Sequence, residues 1–251
     1  MRPILLLASL VFATAAPAQQ PAKPALTAEQ VIEKSIAATG GRQAIEKISS
    51  SYAKGLMEFP ASEARGIIER YAKAPDKQLT VTNLEGVGET RQGFDGRVAW
   101  NQDPNGQVTE LSGTALADFK RGASFNAVLN WRAQYPKAEL AGKQPVGDRE
   151  AYVIKLTAAS GKVTTRYYDV QTFLLLRETS IYDTPQGDMV IVATFSDYRN
   201  IDGIQTPFRI RQLMPVGEII FTTTELKNNV PIDDAKFKKP SAVSPQPSAK
   251  P

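Results

Sequence analysis

The sequence predicts a mainly β domain with a few helices, in which about a dozen antiparallel strands curve into an incomplete, unclosed barrel. Three observations carry this. From Tyr52 onward, short runs rich in Val, Ile, Thr, Tyr and Phe follow one another, and turn dipeptides separate them at the intervals of a meander. Several runs alternate strictly, with Tyr152, Ile154 and Leu156 on one face and Val153, Lys155 and Thr157 on the other. About a dozen strands are also too many for one sheet to stay flat, so curvature is expected.

The elements follow in order. Arg2 and the apolar run Ile4–Ala16 precede Ala16-Pro17-Ala18, the small-x-small pattern of a secretory cleavage site, so residues 1–18 read as a signal peptide. The run is shorter than the roughly 20 residues a bilayer span needs. Residues 19–26 read as a flexible leader, 27–240 as one domain, and the Pro/Ser/Ala-rich 241–251 as a tail unable to build a core. Thr27-Ala28-Glu29-Gln30 is a capping box opening a helix with Val31, Ile32 and Ile36 on one stripe; Gly40-Gly41 ends it. A short second helix through Ala44, Ile45 and Ile48 follows. Turns are marked at Asp95-Gly96, Asn105-Gly106, Ser160-Gly161, Gln186-Gly187, Asp202-Gly203 and Val216-Gly217. Met189, Ile191, Ala193 and Phe195 alternate with Val190, Val192 and Thr194, so both faces of that strand are apolar. One segment interrupts the meander: within Thr114–Arg132, Phe125, Val128, Leu129 and Arg132 fall at helical spacing, with Leu116 and Phe119 extending the stripe and Gly122 placed to kink or divide it.

Composition limits the chemistry. The chain of 251 residues has neither His nor Cys, which removes a Ser-His-Asp triad, a cysteine nucleophile, the usual zinc site and any disulfide. It also lacks the cysteine on which a lipoprotein is acylated. The net charge is +4 before Arg2 is lost, with bases scattered rather than clustered, so nothing reads as a nucleic-acid surface. Ser51-Tyr52-Ala53-Lys54 matches S-x-x-K by chance, because residues three apart in a strand face opposite ways and the partner motifs are missing. Asp202, Asp233 and Asp234 sit beside turn or chain-end signals and read as caps, and Asp103-Pro104-Asn105-Gly106 reads as a hairpin rather than a calcium loop. No cofactor motif is present and no enzymatic activity is expected. A helix with an apolar face over a curved sheet closes an apolar cavity, which makes Trp100, Phe119, Phe125 and Leu129 the candidate ligand-contacting residues.

Four segments resemble one family. Val230–Phe237 before Pro240, the hairpin Gly93–Trp100 with its D-G-x-x-x-W spacing, the Tyr71–Asp76 hairpin and the run Asp197–Phe208 are similar to segments of the periplasmic lipoprotein carriers LolA and LolB and of exported outer-membrane lipoprotein-sorting relatives. The resemblance implies an incomplete antiparallel β-barrel with helices as a lid over an apolar cavity. In the classical carrier an arginine just before the hairpin proline is tied to lid closure; here that position is Ala74. Three readings stay open. One is a soluble, monomeric periplasmic carrier of a lipid or lipoprotein acyl chain, with envelope proteins as further partners. Another is a structural module whose interior its own side chains fill. The third is a hydrolase with two acids facing each other in the cavity. Mature protein is expected to begin at Gln19, which N-terminal sequencing of periplasmic material checks; a start at Met1 contradicts it.

Overall fold

The structure is a computed structural model that describes residues 26–184 and 187–241. The expected signal peptide (residues 1–18), residues 19–25 of the expected leader, Gln186 and the expected tail from residue 242 lie outside the described residues. The elements in chain order are α1 (Ala28–Thr39), α2 (Arg42–Glu46), β1 (Ser50–Phe59), β2 (Ala64–Lys73), β3 (Lys77–Leu84), β4 (Gly88–Phe94), β5 (Ala99–Gln102), β6 (Val108–Glu110), α3 (Gly113–Ala123), α4 (Trp131–Gln134), β7 (Lys137–Val146), β8 (Arg149–Thr157), β9 (Val163–Asp169), β10 (Leu175–Thr184), β11 (Gly187–Ile201), β12 (Ile204–Met214) and β13 (Gly217–Asn228). A 3₁₀ turn, Asp234–Phe237, follows. Among the described residues no helix is long and apolar enough to cross a membrane.

All thirteen strands form one antiparallel sheet in the order β6-β5-β4-β3-β2-β1-β13-β12-β11-β10-β9-β8-β7. The chain winds outward from β1 to the β6 edge, crosses through α3 and α4 to the β7 edge, and winds back until β13 pairs with β1. The sheet is strongly curled. α1 touches both β7 and β12, five strand spacings apart, or about 24 Å if the sheet were flat, whereas a helix is only about 10–12 Å across. α3 in turn packs on Phe94 and Ala99 yet reaches β10. The outcome is the unclosed barrel expected from strand number.

Local rules explain the elements. Gln30 N–H donates to Thr27 Oγ1 (3.2 Å) and Thr27 N–H to Gln30 Oε1 (2.9 Å), completing the capping box. Gly40 ends α1 at φ +138°, and a Cβ there would lie 2.4 Å from the Gly203 carbonyl, so the helix end abuts the β11–β12 turn. That turn, Asp202-Gly203, has positive φ at both residues, the type I′ condition. Leu26, assigned to the flexible leader from sequence, packs against the main core instead.

The helix expected over Thr114–Arg132, with Gly122 placed to kink or divide it, is divided just past that glycine, and the part beyond it is mostly turns rather than helix. α3 stops at Ala123, a stretch of turns covers 124–130, and α4 begins at Trp131. Gly122 and Ser124 are poor helix formers at the break, so the chain leaves the helix there.

Three apolar clusters hold the fold. The largest joins α1 (Val31, Ile32, Ile36) and Trp131 to Ile154 and Leu156 inside the curl. A second, under α3, contains Phe94 and Ala99. The third lies on the outer face, where Trp100, Leu79, Ile232 and Phe237 pack together and Trp100 Nε1–H donates to the Phe237 carbonyl at 3.0 Å. The indole lies across Gly93, where a Cβ would come within 2.4 Å of the ring. Gly93→Ala should therefore lower stability by about 1–3 kcal/mol, as overpacking does, with the hydrogen-bonded indole unable to yield. Chemical denaturation measures this; an unchanged midpoint would mean the C-terminal turn does not clamp Trp100.

Candidate functional site

Strand pairing decides what faces the inside of the curl. Ser51 pairs with Asn228 and Ala72, and Ala72 with Gln78, so these four share one face. With Ile45 and Ile48 from the α2 end, Ile204 and Leu226 from the returning strands, and Ala123 and Phe125 from the crossing segment, they line an open-mouthed concave pocket of about 310 Å³. This volume is at the lower end of the roughly 300–1,000 Å³ of small-molecule sites. Its surface is mostly apolar, and among the described residues that line it none is charged. The roof over this pocket is tied down by a backbone bond: Phe125 N–H donates to the Pro75 carbonyl at 3.0 Å, joining the crossing segment to the β2–β3 hairpin. Pro75 follows Ala74, so at this hairpin a main-chain contact joins the sheet to the crossing segment.

The four residues expected to meet a ligand are distributed over three environments. Phe125 lines the concave pocket. Phe119 belongs to α3 and turns toward the sheet, its ring 6.1 Å from that of Phe94 in an edge-to-face arrangement. Leu129 is 7% exposed and belongs to the main core with α1 and Trp131. Trp100 faces away from the pocket. Its strand neighbour Ala99 points inward under α3, so alternation turns the indole to the outer face, under the C-terminal turn. Trp100, expected from sequence to contact a ligand in the cavity, is thus placed on the other face of the sheet.

Along the sheet the concave face changes character. The row adjoining the pocket runs Asn101–Gln92–Thr80–Arg70–Ala53–Leu226, each paired with the next. Beyond Thr80 the face becomes a polar trough of about 490 Å³ that includes Thr82, Thr90 and Thr109. Arg70 stands at the boundary, its guanidinium 5.5 Å from the Phe221 ring centre. Its side chain is exposed to solvent, and the protein around it on the concave face pulls its pKa below the ordinary guanidinium value. On the far side of the curl, Arg166 Nε donates to Glu178 Oε2 at 2.7 Å, and both side chains are largely covered (19% and 23% exposed). Burial alone would lower the Arg166 pKa, but Tyr168 and Glu178 beside it outweigh that and drive it upward.

Other acids singled out from sequence have structural duties. Asp233 Oδ1 accepts from Ala235 N–H at 2.9 Å and caps the C-terminal turn. Asp234 meets Lys73 at 2.8 Å and Lys77 at 2.6 Å, which hold its pKa down to about 2. Asp202 accepts from Asn228 Nδ2 at 3.2 Å. Asp103 Oδ1 accepts from the backbone of Asn105 (3.0 Å) and Gln107 (2.8 Å), the hairpin expected. Ser51 and Lys54 face opposite sides, Ser51 in the pocket and Lys54 3.7 Å from Glu69 outside.

Sequence reasoning missed Arg70, Ile48, Ile204 and Leu226. The signal existed for Arg70: in Glu69-Arg70-Tyr71-Ala72 alternation puts Arg70 on one face with Ala72, and Glu69 on the other with Tyr71.

No protein-family model matches the sequence. No curated protein matches it either. Solved structures that are similar along nearly their whole length include the following three. A DUF1329 family protein from Desulfovibrio piger gives a TM-score of 0.58 at 18% identity, covering 84% of this chain and 97% of that one. A LolA superfamily protein from Nitrosomonas europaea gives 0.58 at 18%, covering 86% and 99%. An outer membrane lipoprotein-sorting protein domain from Vibrio parahaemolyticus gives 0.55 at 14%, covering 82% and 97%. The chain therefore has the LolA-like fold.

The two aromatic and aliphatic candidates on the crossing segment separate by mutation. Leu129→Ala should cost about 2–5 kcal/mol, as truncation in a packed core does. Phe125→Ala should cost less than about 1.5 kcal/mol, because a half-buried side chain rimming open space leaves little cavity behind. Urea denaturation of both variants checks the order; a reversed order would make Phe125 core and the pocket an artefact of packing.

Proposed function

We propose that the protein is a periplasmic, monomeric, non-enzymatic carrier that shelters an apolar ligand, the acyl chain of a lipid or lipoprotein, in the concave pocket. The observation that carries this reading is an apolar hollow left open inside the curl, roofed by the segment around Phe125 and hemmed by Ile45, Ile48, Ile204 and Leu226. Apolar surface withdrawn from water there stabilises a complex by about 0.8 kcal/mol per CH₂. The shared fold with a LolA superfamily protein and a lipoprotein-sorting domain supports it as analogy of architecture.

One observation favours a second reading, a structural module of the envelope. α1 and Trp131 fill the half of the curl over β7–β9 with packed side chains, so part of the interior is a solid core. A neutral environmental dye decides between them. Nile red should bind with a stoichiometry near one and be displaced by a long-chain fatty acid, and Phe125→Asp should weaken dye binding at least tenfold, since a charge there is costly to bury. Absence of dye binding to the wild type would favour the structural module.

A further inference from the structure

Arg70 is the feature of the concave face that an apolar pocket does not need. Its chain neighbour Glu69 is committed to the outer face, where Tyr71 Oη donates to it at 2.8 Å, Tyr52 Oη at 3.2 Å, and Lys54 lies 3.7 Å away. On the concave face Arg70 meets the Phe221 ring, and none of the described residues offers it a carboxylate or a hydrogen bond. Arg166 differs in this respect, because Glu178 lies 2.7 Å from it and neutralises it. A guanidinium on this face with no anion beside it keeps five donors in a planar fork open, a geometry that suits a carboxylate or phosphate.

Its position specifies what such an anion is attached to. Ala72, two residues along β2 on the same face, lines the apolar pocket, and Leu226 ends Arg70's own cross-strand row in that pocket. Across from Arg70 in the other direction is Thr80, where the polar trough begins, with Gln92 Nε2 donating to Asn101 Oδ1 at 2.9 Å; its two charged lining residues are engaged elsewhere, Arg91 with Glu89 and Asp103 with its own hairpin backbone. Apolar hollow, cation and hydroxyl- and amide-lined trough thus lie in sequence on one face.

We propose that Arg70 binds the anionic head, carboxylate or phosphate, of an amphiphile whose acyl tail fills the neighbouring pocket and whose uncharged polar head atoms lie along Thr80, Gln92 and Asn101. This rests on the carrier reading above and adds the ligand's class and orientation to it. Charge-assisted hydrogen bonds to the head fix which end of the ligand enters, while the tail supplies most of the affinity.

The test is displacement of Nile red by three probes of equal chain length, dodecyl phosphate, dodecanoate and dodecanol, with inorganic phosphate as a fourth. The wild type should prefer at least one of the two anionic probes to dodecanol, and which of them binds tighter identifies the head. Arg70→Gln should weaken that preferred anion about 10- to 100-fold, the range of a charge-assisted pair, and leave dodecanol within about twofold. Arg70→Lys should recover part of the loss, since the charge remains without the fork. If Nile red and dodecanol bind but the wild type shows no preference for either anion, or Arg70→Gln weakens all probes alike, the inference is overturned and the carrier reading survives. The wild-type preference decides the matter even if Arg70→Gln does not fold. Inorganic phosphate competing as well as dodecyl phosphate would mean a free-anion site and overturn the amphiphile. If neither dye nor dodecanol binds the wild type, both readings fall together.

Discussion

Everything about this molecule depends on one long connection. The first meander ends at the β6 edge and the second begins at the β7 edge, the two extremes of a thirteen-stranded sheet. Flat, those edges would be about 58 Å apart at roughly 4.8 Å per strand. The connection between them, residues 111–136, spends much of its length in helices that advance only about 1.5 Å per residue. The sheet must curl for the chain to make the crossing. Curling creates a concave interior, and the segment that enforces it necessarily passes over that interior. Roof and hollow therefore have a common cause, and the Phe125–Pro75 backbone bond ties the crossing to the sheet where the hollow lies.

The curl is stabilised unequally along its length. Over β7–β9, α1 lays Val31, Ile32 and Ile36 against Ile154 and Leu156, all of them nearly inaccessible, and the interior there is a packed core. α1 stops at Gly40 because the Asp202-Gly203 turn stands in its way, with Gly203 O only 2.4 Å from where a Cβ would be. Past that point only the short α2 and the crossing segment cover the sheet, and the pocket opens between them. The same turn that closes the β11–β12 hairpin thus sets where the plug ends. On the opposite face the C-terminal turn works as a clasp: Phe237 and Ile232 cover Trp100, and Asp234 holds Lys73 and Lys77.

Much of the fold was legible because it follows from local rules. The capping box, the glycine helix stop, the alternation of Tyr152–Thr157 and the number of strands all appear in the sequence and in the structure. The candidate site was legible only in part. Spacing of four placed Phe125 and Leu129 on one helical face, but that inference needs a helix there, and both residues fall in the turns of 124–130 between α3 and α4. Trp100 failed for a different reason. Alternation sorts a strand into two faces without saying which is concave, and the answer came from a C-terminal turn 137 residues away. Arg70 was passed over because a charge in a strand reads simply as solvent-facing, and only the pairing of both neighbouring strands shows that the solvent it faces is that of the concave side.

The position of Arg70 also bears on why the hollow is not simply filled. A protein could gain stability by extending the packing of α1 across the whole interior, since each buried methylene is worth about 0.8 kcal/mol. Here the apolar lining stops at an uncompensated cation, and beyond it the same face turns to threonine, glutamine and asparagine. A core needs no such gradient, and a guanidinium without a carboxylate makes core packing there worse. A surface graded from apolar through cationic to neutral polar along one row fits an elongated partner with the complementary order of groups. Apolar burial is non-directional and would accept a chain in either sense, so the cation is the element of the row that gives the hollow a direction.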